Sequence, residues 1–341
     1  MNDVYLDSLH NSAEDLGDIK RADAAKLSPR DKRQIVVLAL LDAAVIVFIG
    51  LYLMLTGSAD IYKEIKKNAA FDPAVDYYNV ADAFAALTPT LNAVSFPEGM
   101  QQSFRALYSE NADTVGWLKI AGTGIDGVVL QAEDNAFYER RDFYKRDDKR
   151  TRVFFADFRN YIGENAASLS KVTILYGHHL TADERIWAEL ENYKDPEYYK
   201  THPVIEFNTI YGNYKWKVFA CMITSSSAEK DGGNLFYYWN PYVTDEQTVA
   251  FCTEVLNRSW FVNPAVNIAA TDKLLCLSTC NYEISMEDIR CVVFARLVRD
   301  GESAEVDVSG TYFNEDRRMP QLWYDQQGLA NPYINTPVFG Q

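Results

Sequence analysis

The chain has 341 residues, of which 48% are hydrophobic, and 33 Lys and Arg stand against 48 Asp and Glu for a formal net charge of −15. That length and apolar fraction allow one or two domains with a substantial core. The acidic balance, with no basic stripe to offset it, excludes a nucleic-acid binder, because phosphates would be repelled.

Residues 1–34 are polar, and Lys20, Arg21, Lys26, Arg30, Lys32 and Arg33 crowd the end of the segment. From Ile35 to Gly57 the sequence is almost wholly apolar, and at about 1.5 Å per residue it predicts a helix of roughly 34 Å, enough to cross a bilayer. Its one charge, Asp42, reads as a carboxylate tolerated near the interface or, alternatively, as a contact with a partner helix. The apolar run exceeds a signal-peptide core and no clear A-x-A site follows, which favours an anchor over a cleaved leader. Six cationic residues precede the span and only Lys63, Lys66 and Lys67 follow it closely. The positive-inside rule then places residues 1–34 in the cytoplasm, 35–57 in the membrane and 58–341 outside the cell.

Residues 58–110 carry helical spacing over 60–86 and 98–111, split near Pro89 and Pro97. From Thr114 onward short apolar runs follow one another: 115–120, 127–131, 152–158, 172–176, 204–207, 214–223, 266–270, 274–278 and 289–298. Gly, Asn and Asp between them predict a mostly β fold, a closed antiparallel barrel of about eight strands. Two helices interrupt it, one over 183–193 opened by Asp183 and one over 244–259 with Thr244 as N-cap and Gln247 at the capping-box position. Residues 300–341, with Pro320, Pro332, Pro337 and unperiodic aromatics, read as an irregular tail packed by Trp323 and Tyr324.

The five cysteines form no C-x-x-C pair, so neither a disulfide framework nor a zinc knuckle is suggested. Cys221, Cys252, Cys276 and Cys291 each lie in an apolar run and read as buried thiols. Cys280 closes the LSTC stretch at 277–280 and is followed by a polar run, which makes it the reactive candidate. A thiolate nucleophile needs a base or cation nearby. His178 and His179 follow the strand at 172–176, and Arg290 opens the strand at 289–298. Taken alone, Arg290 also reads as a solvated end residue, and Cys280 as structural. The His pair lacks further ligands at metal spacing, so no metal or other cofactor is expected. His202 before Pro203 reads as a structural hydrogen-bonder.

In YGHH at 176–179, LSTC at 277–280 and an Arg ten residues past that Cys, the chain resembles a class B sortase, one of the membrane-anchored cysteine transpeptidases of Gram-positive-type bacteria. Residues 111–126 and the DFRN at 157–160 are also similar to that class, and the resemblance covers about 111–299. It implies a sortase-type barrel with Cys280 as nucleophile, His178 as general acid and base, and Arg290 as the group that holds the substrate carbonyl or its oxyanion. It further implies that Ser278, Thr279 and Asn281 contact a sorting peptide, and that Asn160, Leu235 and Phe236 line its groove. The partners implied are surface proteins that bear a C-terminal sorting motif cleaved after Thr, with an amine of peptidoglycan or a pilin as acceptor. The tail is longer than such enzymes usually carry and could cover the groove.

Two other readings stay open. A cysteine peptidase would hydrolyse the same thioacyl intermediate, although papain-like enzymes place the Cys early and at a helix N-terminus. A non-catalytic, membrane-tethered barrel that binds wall polymer would also suit the acidic, tyrosine-rich composition.

Overall fold

The computed structural model describes residues 95–341, apart from 150, 180–186, 234, 286–287 and 341. The helices expected over 35–57 and 60–86 lie outside the described residues, among which no helix is long and apolar enough to cross a membrane.

The described residues form one compact unit. A 3-10 turn (Gln102–Phe104) and α1 (Arg105–Glu110) lead into β1 (Thr114–Lys119), β2 (Asp126–Leu130), β3 (Phe154–Ala156) and β4 (Val172–Tyr176). A 3-10 helix (Trp187–Lys194) and α2 (Pro196–Thr201) come next, then β5 (Val204–Thr209), β6 (Lys215–Ser225), α3 (Asp245–Leu256) and β7 (Phe261–Val262). The chain continues through β8 (Leu274–Cys280), β9 (Ile289–Leu297), β10 (Tyr312–Phe313) and α4 (Gln321–Gln327).

Eight strands close a barrel in the order β1-β2-β3-β4-β8-β9-β6-β5. The expected antiparallel barrel is in fact mixed, because β2 pairs with β3, and β4 with β8, in parallel. Alternation along a strand fixes which face is buried, not the direction of its neighbour. β5 alternates strictly between half-buried and buried positions, whereas β6, β8 and β9 are buried on nearly every residue. The reason is a core on each side of the wall. One draws on all eight strands, with Leu118, Val129, Phe154, Leu175, Phe207, Val218, Leu277 and Val293. The other packs Ile174, Met222, Cys276 and Phe294 against Phe236, Phe251 and Val255, and α3 supplies the last two.

α3 begins where its capping signal predicts: the Thr244 backbone N–H donates to Gln247 Oε1 at 3.1 Å. Of the helix expected over 183–193, Asp183 and its neighbours through 186 lie outside the described residues, and the rest falls in the 3-10 segment at Trp187–Lys194. Residues 266–270 form no strand; Val266 and Ile268 instead pack on the α3-side core from a turn.

The tail carries little regular structure, only β10 and α4, and Trp323 and Tyr324 pack it on the barrel core. Glu302 takes two hydrogen bonds of 2.7 Å from Arg296, a guanidinium 1% exposed, and a third of 2.7 Å from Lys217. Those donors hold its carboxyl well below the usual range. β10 then pairs with β7, Met319 and Tyr324 join the barrel core, and Val338 packs on the opposite one.

Candidate active site

The parallel β4/β8 ladder runs from Val172↔Leu274 to Tyr176↔Ser278. His178 and Cys280 therefore each stand two residues past the last paired positions, delivered to the same rim of the barrel. Cys280 in turn pairs with Arg290 across the antiparallel β8/β9 ladder. All three line one cleft of about 200 Å³ with Asn135, Glu139, Phe155, Tyr176, Gly177, Ser278 and Thr279. Among the described residues none after Arg290 lines it.

Among the five thiols only Cys280 reaches solvent; Cys221, Cys252, Cys276 and Cys291 are buried. Burial pushes the Cys252 thiol up to about 12 and the Cys276 thiol well up. A hydrogen bond with Cys221 and burial do the same to Cys291. None of these three supplies a thiolate near neutral pH.

His178 lies in the turn after β4, and its Nε2 sits 2.5 Å from the carbonyl of Glu139. A carbonyl can only accept, so Nε2 carries a hydrogen, which leaves Nδ1 as the ring atom that can take up and give up a proton. Gly177 has to be glycine because a Cβ there would lie 2.3 Å from the indole of Trp187. Arg290 donates from Nη1 to the Ile289 carbonyl at 3.0 Å, which anchors one arm of the guanidinium and leaves the rest for the cleft.

The residues around the nucleophile divide. Ser278 and Thr279 line the cleft but are 2% exposed, and both hydroxyls are engaged. Ser278 Oγ shares a 2.9 Å hydrogen bond with the Tyr238 hydroxyl, and Thr279 Oγ1 donates to the Gly177 carbonyl at 2.8 Å. Asn281, expected at the peptide, is fully buried and donates from Nδ2 to Glu191 Oε1 at 2.9 Å. Asn160, expected in the groove, is a stitch within the barrel: Nδ2 donates to the Val172 carbonyl at 2.7 Å, and Oδ1 accepts from the Ile174 N–H at 2.8 Å. Phe236 is 0% exposed and packs against Phe251 at 5.3 Å between centroids. Leu235 is half-buried and is not among the residues lining the cleft.

Sequence reading missed Asn135 and Glu139, which enter from the β2–β3 connection without any periodic signal, and Tyr176, whose place at the end of β4, two residues before His178, could have been read. Beneath Asn135 and Tyr176 lies Asp157, whose buried carboxylate accepts from Asn135 Nδ2 at 3.0 Å, the Tyr176 hydroxyl at 2.9 Å and Arg159 at 2.8 Å. Burial works to raise its pKa, but the Arg159, Asn135 and Tyr176 hydrogen bonds prevail and hold it below the usual carboxylate range. Among the described residues no group of three or more His, Cys, Asp and Glu could hold a metal ion.

A thiol and an imidazole at the ends of parallel neighbours in an eight-stranded barrel, with a guanidinium across from the thiol, define a cysteine transpeptidase of the sortase class. No protein-family model matches the chain. It is 34% identical over 202 residues to sortase B of Staphylococcus aureus, covering 59% of this chain and 77% of that protein. It is 30% identical over 220 residues to sortase B of Listeria monocytogenes, covering 64% and 82%. The solved structure of a Staphylococcus aureus sortase B–substrate complex superposes with a TM-score of 0.51 at 31% identity, over 65% of this chain and 94% of that one. The chain belongs to the sortase B family.

Proposed function

We propose that this sortase cleaves a C-terminal sorting motif after Thr, with Cys280 as nucleophile, His178 as general acid and base, and Arg290 holding the carbonyl oxygen. The observation that carries the reading is the parallel β4/β8 register, which brings His178 and Cys280 to one rim with Arg290 opposite. The related Staphylococcus aureus sortase B solved as a substrate complex supports a substrate site in this fold.

The Cys280 thiolate attacks the Thr carbonyl carbon, and the oxygen takes on negative charge that Arg290 stabilises. When the C–N bond breaks, protonated His178 gives its proton to the departing amine and a thioester remains. An incoming amine of peptidoglycan or a pilin loses a proton to His178, attacks the thioester and expels the Cys280 thiolate. The new amide restores the starting enzyme.

Residues 35–57 anchor the chain in the cell membrane with the N-terminus cytoplasmic and the catalytic unit outside; the cation asymmetry across that span supports this orientation. Protease added to intact wall-free cells removes the C-terminal portion if that holds, and full protection reverses the topology.

Mass spectrometry after incubation with a peptide library and an amine acceptor tests the chemistry. A thioacyl adduct on Cys280 and a ligated product are expected. Hydrolysed product alone, at saturating amine, turns the reading to a peptidase. No adduct, with Cys280 labelled no faster than Cys221 or Cys252 by a thiol probe, turns it to a binding barrel.

A further inference from the structure

The residue after each member of the catalytic pair turns away from the cleft to the same atom. His179, next to His178, places Nδ1 3.3 Å from Glu191 Oε1 and 2.8 Å from the Cys280 carbonyl. Asn281, next to Cys280, donates to that same Oε1 at 2.9 Å. The Cys280 carbonyl only accepts, so His179 Nδ1 carries the hydrogen and shares it between carbonyl and carboxylate.

Glu191 belongs to the 3-10 helix at Trp187–Lys194, outside the barrel ladder, and it is nearly buried together with His179. Its second oxygen lies 3.3 Å from Lys194 Nζ, which also meets Glu283 at 2.5 Å. The surrounding charges thus fix the carboxylate from behind. Burial opposes ionisation of Glu191, yet the His179 hydrogen bond and the Lys194 charge keep its pKa below the usual range. The Glu191 hydrogen bond, together with that to the Cys280 carbonyl, raises the pKa of His179 against the effect of burial.

We propose that Glu191 is a positioning residue: one carboxylate oxygen clamps the His178–His179 turn and the Cys280–Asn281 strand end together. This rests on the catalytic roles given above to His178 and Cys280. Beyond the last ladder pair, Tyr176↔Ser278, the sheet no longer sets the distance between the two segments. Three ties replace it: Thr279 Oγ1 to the Gly177 carbonyl, His179 to the Cys280 carbonyl, and the shared Glu191. The first two join the segments directly, whereas Glu191, alone among the described residues, fixes both to a third element. Glu191 itself is absent from the residues that line the cleft, so it acts through its neighbours.

The test compares the full chain, purified in detergent, with Glu191→Ala, Glu191→Gln, His179→Ala and His179→Asn. Gln keeps an acceptor oxygen at the clamp, and Asn keeps a donor near the position of Nδ1. A displacement near 1 Å costs about 100-fold in rate. The Ala variants should therefore lose about 10- to 100-fold in kcat with KM for a sorting peptide within about twofold, and Gln and Asn should recover most of it. Amide exchange, which needs no substrate, should accelerate in both 177–179 and 280–282 in Glu191→Ala. If that variant does not fold, Asn281→Ala, which removes one of the two donors, takes its place with a loss of about 3- to 10-fold in kcat. Unchanged kcat, a change in KM alone, no recovery in Gln and Asn, or exchange unaltered in both segments overturns the clamp. A wild-type chain that turns over no peptide, with exchange still responding, defeats the transpeptidase reading and not the clamp.

Discussion

Cys280 and Arg290 are direct partners across the β8/β9 ladder, the last residue of one strand facing the second residue of the next. Arg290 shares its strand face with Val292 and Phe294, so it is a polar head on an apolar face and not a solvated stripe. Arg290→Lys keeps the charge but loses the planar fork. We expect its transpeptidation rate to fall about 100-fold, near 3 kcal/mol, as for loss of one oxyanion donor. Alkylation of Cys280 should stay near the wild-type rate. A Lys variant that ligates at the wild-type rate removes the directed-donor role.

Cys280→Ala should abolish the thioacyl adduct while leaving thermal stability unchanged. The thiol is only half-buried at a strand end, so its removal opens no core cavity, unlike loss of the buried Cys276. A marked drop in Tm would show Cys280 to be a packing residue.

Arg159→Ala leaves the Asp157 carboxylate, whose side chain is 0% exposed, with only Asn135, Tyr176 and backbone donors. Breaking such a buried pair costs on the order of 3 kcal/mol. Because the folded pKa of Asp157 is lowered, its stabilisation is present above the ordinary Asp value and is lost as pH falls through the folded one. Denaturant melts should show the gap between wild type and variant widest near pH 7 and closing in acid. A gap independent of pH would mean that Arg159 stabilises by packing alone.

Asp231 behaves in the opposite sense. It is 5% exposed, and burial lifts its carboxyl to about 6 despite Arg258 and Arg318 nearby. A raised folded pKa gives stability that is complete below the unfolded value and is lost as pH climbs through about 6. At about 1.4 kcal/mol per pH unit, the loss amounts to roughly 3 kcal/mol at most. Asp231→Asn should therefore match wild type near pH 4 and exceed it at pH 8. A variant less stable at pH 8 would show that the ionised carboxylate is satisfied by its guanidinium neighbours.

The reactive rim was legible because strand and chemistry coincide there: β4 runs over 172–176 as its apolar run indicates, and Cys280 alone among the thiols lacked an apolar continuation. The 244–259 helix was legible through Thr244 and Gln247. What stayed hidden has two physical causes. A polar side chain that serves the protein looks the same in sequence as one that serves a substrate: Asn281, expected to contact the peptide, donates to Glu191, and Asn160, expected to line the groove, bonds to the β4 backbone. Two-residue strands such as β7 and β10 carry no period, so their pairing was not legible, nor was the ion pair by which Glu302 neutralises the buried Arg296 at the start of the tail.

The parallel pairing of β4 with β8 also has a kinetic meaning. Val172 meets Leu274 only after the intervening hundred residues have closed a loop, and such non-local pairing is slow to form. During refolding, the thiol and the imidazole therefore come together only through that long-range pairing, which is expected to follow the local pairing of β1 with β2 and of β8 with β9. Thiol-probe labelling followed through refolding should show the heightened reactivity of Cys280 arriving with the last phase, after Cys221, Cys276 and Cys291 have become inaccessible.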